Sequence, residues 1–273
     1  MIKTLFYKIL DFINKNGDYI FSIKKIKKTT LRSNSKSDKL NLNIGSGGYN
    51  ISGFIDLDYD STHYNVERSQ KFIKYDIRND KIPFKTGEVD NIFCSHVIEH
   101  IEDSHVQILF KEASRVLKPG GVLRIATPDS KFLHQMLLHG NSFWDNDRTK
   151  NWFISRGIDL NECDEIDFFI REISTKKLKF FSKENLIYYE EVKNNINDYE
   201  KIIKILSQDD NYDRLNIGNH INNWDFEKVK RFTEKYFSDI IESRYNASLS
   251  SEMQGSAFDL SVPEISLYID LRK

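Results

Sequence analysis

Two segments of this chain fit one architecture and few others. Residues 40–48 read LNLNIGSGG, and residues 90–129 read DNIFCSHVIEHIEDSHVQILFKEASRVLKPGGVLRIATPD. The first is a buried-strand pattern running straight into a glycine-rich turn. The second reads as strand, helix, Pro-Gly-Gly turn and strand. Strand and helix patterns alternate from 40 to 129, with strands expected at 40–44, 53–57, 71–75, 91–94 and 122–126. Helices are expected at 97–100 with its continuation and at 105–117, the second stopping at Lys118-Pro119-Gly120-Gly121. This alternation predicts an α/β fold. Its core is a doubly wound, mostly parallel Rossmann-like sheet with a ligand at the carboxyl edge.

The flanks read differently. Residues 1–39 form a basic lead in which Leu5, Phe6, Ile9, Leu10, Phe12 and Ile13 recur at helical spacing. Lys24, Lys25, Lys27 and Lys28 follow, before a Ser/Asn/Lys linker. A helix packed on the main domain is expected there, with weak, reversible membrane-surface contact as the alternative. Residues 130–219 break the alternation and carry paired aromatics: Phe143-Trp144, Trp152-Phe153, Phe168-Phe169, Phe180-Phe181 and Tyr188-Tyr189. They predict a largely helical insertion after the fifth strand, long enough to cover a pocket. The aromatics are expected in its core rather than as a sugar-stacking platform. Residues 225–237 predict one more amphipathic helix. Residues 257–260 and 266–272 predict a closing antiparallel hairpin around Pro263. The ligand-binding domain is then 40–129 together with 220–273.

Bulk properties exclude several classes. The formal net charge of -1 argues against a nucleic-acid partner. No run of 18 apolar residues and no signal-peptide pattern occurs, so a cytoplasmic protein is expected, peripheral to the inner membrane if the lead touches lipid. Cys94 falls in an expected buried strand and Cys163 is the only other cysteine, so no disulfide is expected. The chain does not fix its oligomeric state.

The chemistry-bearing residues cluster at expected strand ends. Gly45, Ser46, Gly47 and Gly48 would let the backbone approach a ligand at a helix N-terminus, although Asn50 breaks the GxGxxG dinucleotide pattern. Asp58, ending the second strand, is placed to accept from a ribose hydroxyl pair, with Asp56 on the same face as its competitor. Asp76, after the third strand, can accept from an adenine amine, and Ile77 can press on the adenine face. A turn cap is the plain alternative for Asp76. Asp129 opens toward the same pocket from the fifth strand.

The runs Ile82-Pro83-Phe84, Ser95-His96-Val97-Ile98-Glu99-His100 and Arg115-Val116-Leu117-Lys118-Pro119-Gly120-Gly121 resemble the class I S-adenosylmethionine-dependent methyltransferases of the type 11 kind. The tail Ser266-Leu267-Tyr268-Ile269-Asp270 resembles the last strand of a bacterial subgroup associated with surface-polysaccharide synthesis. The resemblance is strong over 40–129, weaker over 220–273 and absent elsewhere. It implies S-adenosylmethionine as cofactor, with Gly45–Gly47 under its methionine part, Asp58 on its ribose, and Asp76 and Ile77 on its adenine. Ser95 and His96 would face the methionine part or the acceptor. Asn43 stands where many members carry Asp, so its contact with the cofactor ammonium loses its charge. His220 sits where the subgroup commonly has a histidine, which can bind acceptor or act as base, with a role in a capping loop as the plain alternative. His96, Asp129 and His220 are therefore the catalytic candidates. The spacing of His96 and His100 can hold a metal on a helix face, but no metal is expected, and His100 is read as bonding within the fold.

The function expected is O-methylation of a sugar hydroxyl or phosphoryl oxygen in a capsule or lipopolysaccharide precursor, with a nucleotide- or lipid-linked glycan as acceptor. N- or O-methylation of another small metabolite, or a non-catalytic cofactor-binding protein, are the alternatives.

Overall fold

In the computed structural model, which describes residues 39–60, 71–175, 185–207, 220–255, 258–259 and 262–273, the glycine turn hangs from a strand buried on both faces. This strand, β1 (Asn41–Ile44), aims Leu42 and Ile44 into the main apolar core. Its asparagines point the other way and are paired. Asn91 Nδ2 donates to Asn41 Oδ1 at 2.8 Å, and Asn43 Nδ2 donates to Asp56 Oδ1 at 2.8 Å. Buried polar side chains persist only when bonded in this way.

Around β1 run β2 (Phe54–Asp58), β3 (Phe72–Lys74), β4 (Val89–Ser95), β5 (Leu117–Pro128), β6 (Asp239–Glu242) and β7 (Ser266–Arg272). They form one seven-stranded sheet in the order β3-β2-β1-β4-β5-β7-β6. β1 to β5 pair in parallel, and β7 lies antiparallel to both β5 and β6. The sheet is thus the mostly parallel Rossmann-like sheet with an antiparallel C-terminal pair that the sequence predicts.

The partner of β7 differs from expectation. It is β6, not residues 257–260. Of that segment, Phe258 and Asp259 are described, and they lie in a bend where Asp259 has a φ of 61° and binds Arg124 instead of a strand neighbour. The buried charge of Asp259 must meet a cation, and that requirement overrides the local strand pattern.

Helix α1 (Asp103–Val116) buries Val106, Leu109, Phe110, Ala113 and Val116 on one stripe, with Asp103 in its first turn and Arg115 in its last, both favourable to the helix dipole. It ends one residue before the expected stop. The Lys118–Gly121 run is extended and merges into β5. Gly121 passes so close to β4 that a Cβ would meet the Asp90 carbonyl at 2.9 Å.

After β5 come α2 (Ser130–His139), α3 (Asp147–Ile154), α4 (Glu165–Ile173), α5 (Asn185–Asn194) and α6 (Tyr199–Leu206). α4 contacts α2, α5 and α6 around a second core that holds Leu133, Phe143, Trp144 and Phe169. The described aromatic pairs thus serve mainly as core, as their mixture of Phe and Trp suggests. Trp152 differs, lying under the guanidinium of Arg156 at 3.9 Å. The pair Phe180-Phe181 and the basic lead lie outside the described residues. Tyr199 ties these helices to the sheet, meeting Ser130 Oγ at 2.6 Å and donating to Asp225 Oδ2 at 2.7 Å. Asp225 caps the last helix, α7 (Phe226–Thr233), by accepting from Lys228 N. No described helix is long and apolar enough to cross a membrane.

Candidate active site

The carboxyl ends of β1, β2 and β4 meet at one place. Gly45 follows β1 with a φ of 69°, and its amide donates to Leu57 O at 2.7 Å. A Cβ there would lie 2.3 Å from Val97 Cγ2, so only glycine lets the turn touch the segment after β4. Ser46 is buried. Gly47 has a φ of 56° and open space on its side-chain side. Its amide donates to Asp58 Oδ2 at 2.7 Å.

These bonds separate the two candidate acids of β2. Asp56 is 2% exposed and is held by Asn43. Asp58 sits at the strand end, against the glycine turn. Asn43 is also explained. It is the register partner of Asp56 across β1 and β2, where a second carboxylate would face the first inside the protein. Its amide nitrogen is used on Asp56 and on Tyr49 O, which braces the turn. The amide nitrogen of Asn43 thus has a structural role, whatever its oxygen contacts.

Asp76 bonds its own turn. Its carboxylate accepts from Arg78 N at 2.9 Å and from Asn79 Nδ2 at 2.7 Å. Ile77 is buried in the main core. The turn-cap reading of Asp76 is thus the one its hydrogen bonds express, and its neighbour Tyr75 N donates to Asp58 O at 2.8 Å, beside the glycine turn.

The second half of the site is built on His96. The expected helix from 97 onward is only a 3-10 turn, Ile98–His100, and the chain is extended again at Ile101. His96 and His100 are therefore not successive turns of one helix face. Ser95 ends β4, and His96 takes a left-handed φ of 53° with its amide on Ala126 O. Non-glycine residues there carry strain that clusters at functional sites. His96 Nε2 lies 2.9 Å from Ser266 Oγ, at the start of β7, and Nδ1 lies 3.1 Å from Glu99 Oε1.

Glu99 is 1% exposed. Its Oε2 accepts from Thr127 Oγ1 at 3.2 Å, and its Oε1 lies 3.9 Å from His100 Nε2. Burial alone would raise its carboxyl, but the facing His96, His100 and His220 outweigh that and hold it below the usual carboxylate range.

His220, 121 residues after Glu99, is delivered by a clasp. Ile221 N and Asn222 N donate to Glu99 O at 2.8 and 3.3 Å, and Trp224 Nε1 donates to Ile98 O at 3.1 Å. The His220 ring meets that of His100 edge-on, with centroids 5.0 Å apart. Burial lowers its pKa to about 4, so the ring is neutral at neutral pH.

Asp129 caps α2, accepting from Lys131 N and Phe132 N. Burial raises its carboxyl to about 6 against the pull of those amides. Its side chain caps its own helix.

The structure therefore unites His96, Glu99, His100 and His220, and adds Ser266 and Thr127. Ser266 and Thr127 are not marked by the sequence, since each becomes relevant only through strand register. Glu99 is marked, by its place in the His-x-x-Glu-His run.

The donor set at the glycine turn fits a nucleoside-bearing cofactor: a backbone that admits no side chain at Gly45, open room at Gly47, and a carboxylate beside it. Residues 42–125 match the family model described as "Methyltransferase domain". Among solved structures, a S-adenosylmethionine-dependent methyltransferase from Archaeoglobus fulgidus is 12% identical over 87% of this chain and 87% of that one, with a TM-score of 0.40. A possible histamine N-methyltransferase from Thermotoga maritima is 13% identical over 86% and 82%, with a TM-score of 0.41. A methyltransferase from Mesorhizobium loti is 17% identical over 35% of this chain, with a TM-score of 0.28, and the match spans 49% of its length. No curated protein sequence matches the chain.

Proposed function

We propose that this chain is a S-adenosylmethionine-dependent methyltransferase that methylates an oxygen of a surface-glycan precursor, a sugar hydroxyl or a phosphoryl oxygen, with His96 as the base. The observation that carries the reading is the setting of His96. It stands at the carboxyl edge of β4, strained into a left-handed conformation, with a buried carboxylate beside Nδ1 and Nε2 toward the β5–β7 edge. A carboxylate beside an imidazole stabilises the charged ring that forms when it takes a proton, which is how general bases are supported.

The cofactor supplies an already activated methyl group. The chain must then hold the acceptor oxygen in line, remove its proton and exclude water. Alignment alone accounts for up to roughly 7–11 kcal/mol of barrier in well-oriented reactions. Proton removal matters for a sugar hydroxyl and little for an ionised phosphoryl oxygen. The helices α2 to α6, as a large insertion after β5, support a bulky polar acceptor, and the tail Ser266–Asp270 supports the glycan class.

Transfer of labelled methyl from S-adenosylmethionine to a panel of nucleotide-sugar and lipid-linked glycan acceptors tests the reading. His96→Gln is expected to lower kcat on a hydroxyl acceptor by about 10²–10⁴-fold while keeping its affinity for S-adenosylhomocysteine. Methylation confined to quinone-type or protein acceptors would overturn the glycan assignment. Asp58→Ala should weaken S-adenosylhomocysteine binding by about 1.5–3 kcal/mol, roughly ten- to a hundredfold, with the fold retained. Calorimetric titration reads this directly, and unchanged affinity would take Asp58 off the ribose.

A further inference from the structure

We propose that Glu99, His100 and His220 form a binding site for one divalent ion of the zinc class, next to His96. Their three ligand atoms lie within 4.8 Å of one another. A four-coordinate ion with bonds of about 2.0–2.2 Å holds its donors roughly 3.3–3.6 Å apart, so small side-chain rotations close the site.

A second observation points to the same place independently. Glu99 Oε1 is buried and has no hydrogen-bond partner among the described residues. His96 Nδ1 comes within 3.1 Å of it but is not aligned as a donor, and His100 Nε2 is at 3.9 Å. A buried carboxylate oxygen without a donor is costly, and in native proteins it calls for an ion or an ordered water. A cation between Oε1 and the two imidazoles supplies the missing partner.

The ligands are also held from behind, as metal ligands are. Thr127 Oγ1 donates to Glu99 Oε2 at 3.2 Å. Arg78 Nη2 donates to His100 O at 3.1 Å, and its Nε is paired with Glu102 at 2.7 Å. The Glu99 carbonyl is itself the acceptor for the backbone that carries His220, so two ligands brace each other. This coupling spans 121 positions.

Two imidazoles and one carboxylate select a zinc-like transition ion over magnesium or calcium, which take mainly oxygen. Three protein ligands leave a coordination position open. Resting on the oxygen-methylation reading above, the ligand for that position is the acceptor oxygen, beside the His96 base.

The test uses the full chain, stripped with a chelator and titrated calorimetrically with zinc, then with magnesium as control. The same preparations are assayed for a thermal shift with S-adenosylhomocysteine. One zinc per chain with micromolar or tighter affinity is expected, and no magnesium binding. His220→Asn and Glu99→Gln are each expected to weaken zinc binding by at least tenfold. The S-adenosylhomocysteine shift in each variant reports that it is folded.

Absence of stoichiometric zinc binding by the unmodified chain overturns the proposal. So does zinc binding that both folded variants retain in full, because the ion then sits elsewhere. Zinc binding without a cofactor shift would instead count against the methyltransferase reading, so the two failures are distinguishable.

Discussion

An Arg124→Met variant is expected to lose about 3–5 kcal/mol of stability, the largest effect of any single side chain here. Arg124 stands on β5, fully buried, on the face opposite Leu123 and Ile125. Its Nη2 is 2.5 Å from Asp259 Oδ2, and its Nη1 is 3.1 Å from Asp270 Oδ1. Nε donates to Asp259 Oδ1 at 3.1 Å, Nη1 also reaches Ser243 Oγ and Ala247 O, and Nη2 also donates to Arg244 O. Methionine fills much of the volume but leaves two buried carboxylates with no cation, and each then lacks its main partner. The segment from Ser243 to Asp259 loses its anchor to the sheet. Urea unfolding reads the change as a lower midpoint at unchanged slope. A loss under 1 kcal/mol would mean that water or a shifted lysine replaces the arginine.

The second large effect is local and catalytic. Gly45→Ala is expected to reduce turnover by on the order of 10²-fold. Two costs combine. A left-handed φ of 69° disfavours any L side chain by roughly 1–2 kcal/mol. The new methyl would also sit 2.3 Å from Val97 Cγ2. Val97 directly follows His96, so relief of the clash displaces the proposed base as well as the cofactor turn. Pairing Gly45→Ala with Val97→Ala removes the clash and keeps the backbone strain. That pair should recover part of the activity and not all of it. Full recovery would show that the φ at Gly45 carries no cost.

The sheet was legible in the sequence because its central strands are buried on both faces and α1 carries a periodic apolar stripe. LNLNI and VLRIAT announce β1 and β5, and the stripe from Val106 to Val116 announces α1. The glycine turn was equally legible, since a strand running into Gly45 and Gly47 has few other solutions. Two things could not be read. The partner of β7 depends on where the charge of Arg124 is neutralised, a contact between residues 135 apart. The histidine group depends on the clasp that brings residues 221–224 across the 3-10 turn at Ile98–His100, where local spacing suggested a longer helix. Asn43 shows the same limit in miniature. Its departure from the expected Asp makes sense only once Asp56 is seen beside it.

The position of β7 has a consequence for how the molecule assembles. β7 is made after β6 but lies between β5 and β6 in the sheet. Until β7 exists, β6 has no strand to pair with, and Arg124 lacks one of its two carboxylates. Ser266, at the start of β7, is also what His96 Nε2 meets. Pairings this distant must close large loops before any contact rewards them, which slows folding. A nascent chain can therefore form the β1 to β5 half with its glycine turn early. The chemistry-bearing edge must wait for the last strand to thread into place, and the open side of β5 is exposed to wrong partners in the interval.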